Sequence, residues 1–534
     1  MGTTGSLTNA CPLAPDLLEA GNGIGRENSQ MHISTHATDE KPAPRHSQDS
    51  MEDVDLLQSS SAEKRSTSSA PHTGNLDAVD VSTLRRTPLW NVVVNSVTYM
   101  ATPMSMPATM AQAGWVWGTA MMVYSALISY HTALLLGHVC YVHPHLDTFP
   151  KVTAAAAEKL IRRVSPATAA SGGARCWVEG VLWATIALQF VTYYLDTVAQ
   201  LIYIEQYFGQ LLPRSNMCQW QWLLVTWALS APVMQIPTLH ASRHVSVLAM
   251  VWVMLNVVLI GVEVWAVRPW ECEPGPSYPP PTTPRLLIAA SSMAYAFGGH
   301  GIYPEEFREM KQPERWPEMV NWMYGMVVPS YLFAGFVGYA AYGGYSQANL
   351  NLNYPNNWVN TFSILMQLPA CLYLVYFTNL VLVLQIEIAC GIDPTQCVGE
   401  SQKWRFRMPP VVFRLLFRTT FLGSQILLAQ MLLSGEGDTI LALQSLAGAV
   451  GMSAFTYFLP FIVHWIMFRE EIGRLLGVYY AFNILAGVLI LVGGVYSSVL
   501  ELCQQSSDEL ERKCLLSYSY APESPEDPCY ISGI

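Results

Sequence analysis

Long runs of apolar residues, separated by charged or turn-forming stretches, are the main pattern along this chain. A helix needs about 20 apolar residues to cross the roughly 30 Å hydrocarbon core of a bilayer, so runs of that length indicate membrane spans. The pattern predicts an all-α polytopic membrane protein. Its predicted spans number eleven, at about 90–112, 115–139, 179–209, 219–238, 244–267, 285–305, 320–343, 357–388, 412–433, 438–467 and 476–500.

Two of the predicted spans contain helix breakers near their centres. Pro103 and Pro107 lie in the first span, NVVVNSVTYMATPMSMPATMAQAGW, and each removes a backbone donor. The sixth span, LLIAASSMAYAFGGHGIYPEEF, has three glycines around His300 and then Pro304. Interruptions five spans apart are typical of transporters built from two inverted repeats, here spans 1–5 and 6–10. The alternative is that the breaks are kinks that serve only helix packing. Two breaks at matching positions make this alternative less favoured.

Interrupted helices leave backbone groups without intrahelical partners in the middle of the membrane. Unpaired N–H groups at a helix start favour an anionic group, and unpaired carbonyls at a helix end favour an ammonium or a coupling cation. A zwitterionic amino acid fits both ends at once. We therefore predict that substrate binds beside the two breaks, at Thr102, Met104, Ser105, Met106, Ser292, Tyr295, Gly298 and Gly299.

The first 80 residues differ in composition from the rest of the chain. They hold 12 acidic and 5 basic residues, and they contain few large apolar side chains that could offset the entropy of ordering. We expect a disordered cytoplasmic tail at 1–87, a ten-helix inverted-repeat core at 88–467, an eleventh span at 468–502 and an extracytoplasmic tail at 503–534. The N-terminal residues lack the basic stretch and short apolar run that mark a cleavable signal, so no such signal is expected.

Lys and Arg are distributed unequally between the predicted loops. The loops on the N-terminal side hold 16 of these residues, and the opposite loops hold 3. This positive-inside asymmetry predicts a cytoplasmic N-terminus. Because the net charge is −11 and only 13% of the residues are charged, the expected partners are a lipid bilayer and a small molecule rather than nucleic acid. A vacuolar or other endomembrane location and a plasma-membrane location both fit.

Eleven cysteines occur without a CxxC pair or a Cys/His cluster at zinc-like spacing, so no metal site is expected. Cys218 and Cys272 fall in predicted extracytoplasmic loops, where a disulfide could join the third-fourth loop to the fifth-sixth loop. Two unpaired thiols are an equal alternative, because Cys503, Cys514 and Cys529 share that compartment.

Two titratable side chains lie inside predicted spans. An ionised carboxylate at Asp196, in span 3, is costly in a membrane and is retained mainly for a partner or a proton. His300 could accept a proton near neutral pH, or it could instead satisfy the loosened backbone around it. We predict both as coupling residues with H⁺ as the coupling ion. Coordination of Na⁺ by side-chain oxygens, such as those of Thr378 and Asn379, is less favoured.

Glu305 and Glu306 follow Pro304 at the end of span 6 on the N-terminal side. They could form an inner gate with Arg308 or Lys311. The favoured interpretation is that they are solvated ends of a helix, because they lie at the expected membrane interface.

Three ordered motifs resemble the amino acid/auxin permease family, and within it the vacuolar-type amino acid transporters. They are PATMAQAGWVWG at 107–118, FGGHGIYPEEFREMKQPERWP at 297–317 and GFVGYAAYG at 335–343, inside a resemblance that runs from about residue 90 to 457. The resemblance implies an eleven-span, LeuT-like 5+5 inverted-repeat fold with spans 1 and 6 broken. It also implies secondary active transport of amino acids, usually coupled to protons. Where this family commonly has Gly-x-Gly before the first-span proline, this chain has Met100 and Thr102.

The leading hypothesis is a proton-coupled amino acid symporter, or an exporter if the membrane belongs to an acidic organelle. A nutrient sensor that binds amino acids without large flux, and a transporter of auxin-like organic acids, are the alternatives. The sequence contains no HExxH, no Gly-x-Ser-x-Gly and no phosphate-binding P-loop, so we expect neither enzyme activity nor a cofactor.

Overall fold

The computed structural model of the chain describes residues 87–166, 173–212, 215, 217–236, 243–271, 275–390, 409–433 and 439–507. These residues are helical apart from turns, loops and two isolated β-bridges. Residues 1–86 of the expected N-terminal tail and residues 508–534 of the expected C-terminal tail lie outside the described residues. Cys272 does so too, and its disulfide with Cys218 therefore stays a prediction.

Eight helices of the described residues are long and apolar enough to cross a membrane. The first of them, Leu89–Val142, contains predicted spans 1 and 2, because the chain turns at Gly114, where φ is 69°. Span 4 is the 15-residue helix Gln219–Val233, and span 6 is divided into the helices Thr283–Ala296 and Tyr303–Glu309. These three helices are too short to be counted among the eight. With spans 4 and 6 included, the eleven predicted spans are confirmed.

The bounds of the remaining spans follow the apolar runs closely. Span 1 comprises Leu89–Met100, a 3₁₀ turn at Pro103–Ser105 and the start of Met106–Val142, whose later part is span 2. We call the side of the membrane on which span 1 begins the N-terminal face. The other bounds are span 3 Gly173–Leu211, span 5 Arg243–Val267, span 7 Trp316–Tyr342, span 8 Trp358–Ala389, span 9 Pro410–Leu432, span 10 Thr439–Met467 and span 11 Arg474–Ser507.

The sequence prediction missed the helix Phe149–Val164, which connects spans 2 and 3 on the N-terminal face. Its 16 residues are too few and too charged for a membrane span. Lys159 and Arg163 donate hydrogen bonds to the carbonyls of Met467 and Ile466, at 2.6 and 2.8 Å. Basic side chains at the last carbonyls of a helix are stabilising, so this connector fixes the end of span 10.

Span 10 is irregular where it passes the break in span 6. Its central part, Gly448–Phe458, is a π-helix, which widens the turn and often marks functional segments. A Cβ atom at Gly448 would lie 2.0 Å from the carbonyl oxygen of Ser291, and one at Gly451 would lie 1.6 Å from Thr192 Oγ1. The two glycines therefore let span 10 pack directly on spans 6 and 3.

Two of the sixteen basic residues used in the orientation argument lie within span 9. Arg414 and Arg418 belong to the helix Pro410–Leu432, and Arg418 is fully buried. The Arg418 guanidinium donates to both carboxylate oxygens of Glu387, at 2.7 and 2.9 Å, and to two carbonyls at the end of span 4. The loop-charge argument therefore rests on the other fourteen residues.

Candidate functional site

One tyrosine hydroxyl connects the breaks in spans 1 and 6. Tyr331, in span 7, accepts a hydrogen bond from the Thr102 backbone N–H at 3.1 Å. The same hydroxyl contacts the carbonyl oxygen of Met100 and lies 2.9 Å from that of Ala296. Each carbonyl belongs to the last residue of a half-helix. Sequence reasoning missed Tyr331, because nothing distinguishes it from the other tyrosines in the apolar spans.

A cavity of about 450 Å³ lies against the break in span 1. Three of the predicted binding residues line it, Thr102, Met104 and Ser105. Its lining combines apolar side chains with a few polar groups, as small-molecule sites require. The polar residues contributed by spans 3, 5 and 8 are Gln200, Tyr203, Tyr207, Asn256 and Gln367.

A second cavity of about 250 Å³ adjoins the first and reaches the break in span 6. Thr102, Gln200 and Leu374 line both cavities. The second cavity brings together Asp196, Tyr295 and Gly298, which were predicted from two different spans. Its other lining residues are Tyr99, Met100 and Met452.

Asp196 is held in place by a neighbouring phenol. The carboxylate is only 4% exposed, and its Oδ1 accepts a hydrogen bond from the Tyr295 hydroxyl at 2.5 Å. The Gln200 amide donates to that same hydroxyl at 3.3 Å. Gln200 also interacts with the carboxylate itself, so both of its donors are uncharged, and such a carboxylate changes protonation state more easily than one paired with a cation. Asp196 therefore has the setting of a proton acceptor beside the breaks.

Three predicted binding residues lie near the breaks but line neither of the two cavities. Met106 and Ser292 are buried, and the Ser292 hydroxyl has no hydrogen-bond partner among the described residues. A Cβ atom at Gly299 would lie 2.9 Å from the Tyr303 hydroxyl, so this glycine serves packing. The structure thus concentrates the predicted binding residues at five positions: Thr102, Met104, Ser105, Tyr295 and Gly298.

His300 is surrounded by hydrogen-bond partners. Its Nε2 lies 2.9 Å from Thr132 Oγ1 and 3.0 Å from the Ser129 carbonyl oxygen, and its Nδ1 lies 3.1 Å from Thr456 Oγ1. The ring is fully buried and lies 4.7 Å from that of Tyr303. These contacts join spans 2, 6 and 10 at the break, which favours a structural role for this residue.

We expect His300→Ala to reduce stability before it affects proton coupling. Loss of the imidazole removes a partner of the Thr456 hydroxyl and opens a cavity, which together cost roughly 2–4 kcal/mol. Thermal unfolding in detergent measures this change, with Tyr130→Phe, which alters a half-buried contact to Asn321, as the control. A variant with unchanged unfolding temperature and abolished proton flux would instead make His300 a coupling residue.

The loop between spans 7 and 8 covers the larger cavity from the side opposite the N-terminal face. The Gln367 amide, which lines the cavity, donates to Asn351 Oδ1 at 2.6 Å and lies near Ser363. The Asn349 amide donates to Gln206 at 2.9 Å, and the Tyr203 hydroxyl donates to the Ala348 carbonyl at 3.0 Å. These hydrogen bonds hold the loop over the cavity as a polar cover.

On the N-terminal face, the segment before span 1 is bonded to the end of span 6. Thr87 N–H donates to the Glu309 carbonyl at 3.0 Å, and Lys311 N–H donates to the Thr87 carbonyl at 2.9 Å. Deeper in the membrane, Ser96 donates to Glu306 Oε2 at 2.8 Å. Glu306 is only 5% exposed, so the favoured interpretation of a solvated helix end is wrong for this residue. The contact instead links the two interrupted spans.

Two interrupted spans that meet beside a covered cavity at mid-membrane are the architecture of a multi-pass membrane transporter. The sequence model of one family, described as transmembrane amino acid transporter protein, matches residues 85–500. The chain belongs to this family. Its family is therefore a membrane transporter family rather than an enzyme family.

Two curated relatives are from Arabidopsis thaliana. The amino acid transporter AVT1C is 22% identical over 270 residues, and the amino acid transporter AVT1B is 20% identical over 262 residues. Each match covers 48% of this chain and 44% of the relative, so the chain matches less than half the length of either.

Solved structures similar to the chain include Mhp1, a nucleobase-cation-symport-1 family transporter, in a closed conformation with bromovinylhydantoin bound. They also include a Na⁺-coupled sialic acid symporter in a substrate-bound, outward-open state. Each is 13% identical, covers 80% of this chain and 93% of its own, and has a TM-score of 0.41.

Proposed function

We propose that the chain is a secondary active transporter of amino acids that couples their movement to protons. The observation that carries this proposal is the meeting of both breaks at one cavity that also contains a buried carboxylate, Asp196. Substrate and proton would then bind side by side, which is the requirement for coupling their movements. Tyr331, bonded to both breaks, would hold the two half-helix ends in register.

The two ends of the site suit a zwitterion. The residues Thr102 to Ser105 line the larger cavity at the start of the helix Met106–Val142, whose positive dipole end favours a carboxylate. The half-helices that end at Met100 and Ala296 direct carbonyl oxygens toward the breaks and favour an ammonium group. Val253, Leu374 and Ala370 supply an apolar wall for a side chain. This arrangement supports an amino acid over an organic acid that lacks an ammonium group.

Two of the side chains considered for Na⁺ have their oxygens engaged elsewhere. Thr378 Oγ1 lies 2.8 Å from Thr197 Oγ1 and donates to the Leu374 carbonyl, while Asn379 and Gln425 exchange two amide hydrogen bonds. These contacts support H⁺ as the coupling ion.

The excess of basic residues on the N-terminal face supports a cytoplasmic N-terminus. Protons would then move from the opposite side toward that face. The same arrangement serves uptake at a plasma membrane and export from an acidic organelle. We also propose the domain limits expected from the sequence, a core at 88–467 followed by an eleventh span at 468–502.

Reconstitution in liposomes tests the proposal. Uptake of a panel of radiolabelled amino acids, with indole-3-acetate as an organic acid without an ammonium group, is recorded with a pH gradient, with a Na⁺ gradient and with neither. We expect saturable amino acid uptake that rises with the pH gradient. Specific binding without flux would establish the sensor instead. Uptake of indole-3-acetate alone would overturn the amino acid assignment, and uptake that depends only on Na⁺ would overturn proton coupling.

A further inference from the structure

A series of buried polar side chains leads from the smaller cavity toward the N-terminal face. Tyr99 lines that cavity together with Asp196, and its ring meets that of Tyr193 edge-on at a centroid distance of 6.4 Å. The carboxyl groups of Asp196 and Glu305 are both close enough to Tyr193 to interact with its phenol electrostatically. Two phenols therefore lie between two buried carboxyl groups.

The hydroxyls of Tyr99 and Tyr193 are buried and interact with each other, and the buried carboxylate oxygens of Glu305 have the Gln189 amide beside them. Burial of three adjoining titratable side chains is costly, and apolar side chains would fill the same space at a lower cost. Transfer of a proton along the series would require such groups.

The glycine-rich break in span 6 creates the space for this series. A Cβ atom at Gly301 would lie 2.3 Å from the Tyr193 hydroxyl, so only glycine admits the phenol beside the break. The Gln189 amide donates to the Gly301 carbonyl at 2.8 Å and also lies beside Glu305. The break thus positions the phenol as well as the substrate.

Beyond Glu305 the series reaches charged groups at the membrane surface. Arg308 interacts with Glu305 and lies 3.6 Å from Asp147, which is paired with the exposed Lys151 at 2.6 Å. The groups that face Glu305 from the surrounding spans are Tyr193, Gln189, Cys140, Asp147 and Arg308. A carboxyl group next to an arginine at the interface is suited to releasing a proton into water.

The neighbouring candidates have other principal partners. Glu306 also interacts with Tyr193, but its Oε2 accepts a hydrogen bond from Ser96, on the side of span 1. The imidazole of His300 is saturated by two threonine hydroxyls and the Ser129 carbonyl. Glu205, another buried carboxylate in span 3, has no charged neighbour that perturbs it.

We propose that Tyr99, Tyr193 and Glu305 form the proton-release path from Asp196 to the N-terminal face, an inference that rests on the proposed proton coupling. In one passage the Asp196 carboxyl loses its proton, and each phenol accepts one proton and gives up one. Glu305 receives the proton and then releases it to water beside Arg308. Asp196 ends ionised, both phenols end unchanged, and one H⁺ has crossed from the cavity to the surface.

Glu305→Gln tests the path, because the amide preserves shape but cannot receive and release a proton. In liposomes that contain a pH-sensitive dye, we expect substrate-driven proton flux and gradient-driven uptake to fall at least about 10-fold. Exchange of labelled for unlabelled substrate at equal pH needs no net proton release and should persist. That exchange also shows that the variant is folded. The matched control is Glu205→Gln, which neutralises an equally buried carboxylate outside the path and should retain flux.

Tyr193→Phe provides a second variant, with Tyr457→Phe as its control, because the Tyr457 hydroxyl is also buried. We expect reduced proton flux only in the first. Wild-type flux in both Glu305→Gln and Tyr193→Phe, or equal loss in Glu205→Gln, would overturn the path. If the wild-type protein takes up substrate without proton movement, the proposed proton coupling is wrong. Proton movement in the wild type that is unchanged in both variants would leave the coupling intact and reject only the path.

Discussion

Asp196→Asn should abolish net uptake driven by a pH gradient while leaving substrate exchange intact. The amide keeps a hydrogen bond with the Tyr295 hydroxyl, which lies 2.5 Å from Oδ1, but it cannot bind the coupling proton. Without the coupling proton the pH gradient can no longer drive substrate against its own gradient, so we expect accumulation above the outside concentration to be lost. Radiolabelled uptake with an imposed gradient, compared with exchange at equal pH, measures both quantities.

Glu205→Gln is the matched control for this variant also, since it removes a carboxylate that is 1% exposed from the same span. Its uptake should resemble that of the wild type. Gradient-driven accumulation that survives in Asp196→Asn would show that another group carries the proton. Loss of exchange together with uptake would assign Asp196 to substrate binding rather than to coupling.

Arg418→Met should destabilise the protein more than His300→Ala does. It leaves the fully buried Glu387 carboxylate without its two guanidinium bonds and frees the carbonyls of Met234 and Ile236 at the end of span 4. Breaking one side of a buried ion pair costs about 3–5 kcal/mol, because a charge is left uncompensated. Thermal unfolding in detergent, followed by size-exclusion chromatography, detects the loss.

The double variant Glu387→Leu/Arg418→Met separates charge from packing. Replacement of both partners by apolar groups removes the uncompensated charge, so we expect it to regain much of the stability that the single variant loses. Arg414, 3.4 Å from Glu387, offers partial compensation in the single variant, and Arg414→Met should therefore have the smaller effect. An unchanged unfolding temperature in Arg418→Met would contradict the role of this pair.

The breaks were predictable because proline and glycine act on their own backbone. Pro103 and Pro107 interrupt span 1, and the glycines around His300 interrupt span 6, at the positions expected from the sequence. Thr102, Met104 and Ser105 line the cavity because they lie in the interruption itself. Met106 and Ser292 do not, since within a helical turn the direction of a side chain depends on which neighbour packs against it.

Two charged residues show what the local sequence could not predict. Position alone suggested that Glu306 is a solvated helix end, yet it is buried against Ser96, 210 positions earlier in the chain. Arg418 was counted as a loop charge, yet it lies inside a helix and pairs with Glu387. Nothing in either local sequence specifies a partner that distant.

The sequence by itself determined the eleven spans and the two interruptions. Both follow from local physics, because span length is set by the thickness of the bilayer and helix breaks by the backbones of proline and glycine. Only the tertiary structure decided that Tyr331 joins the two breaks, that the loop before span 8 covers the cavity, and that Asp196 faces Tyr295. Those contacts join residues about 100 to 230 positions apart, and they form only when the spans pack around one another.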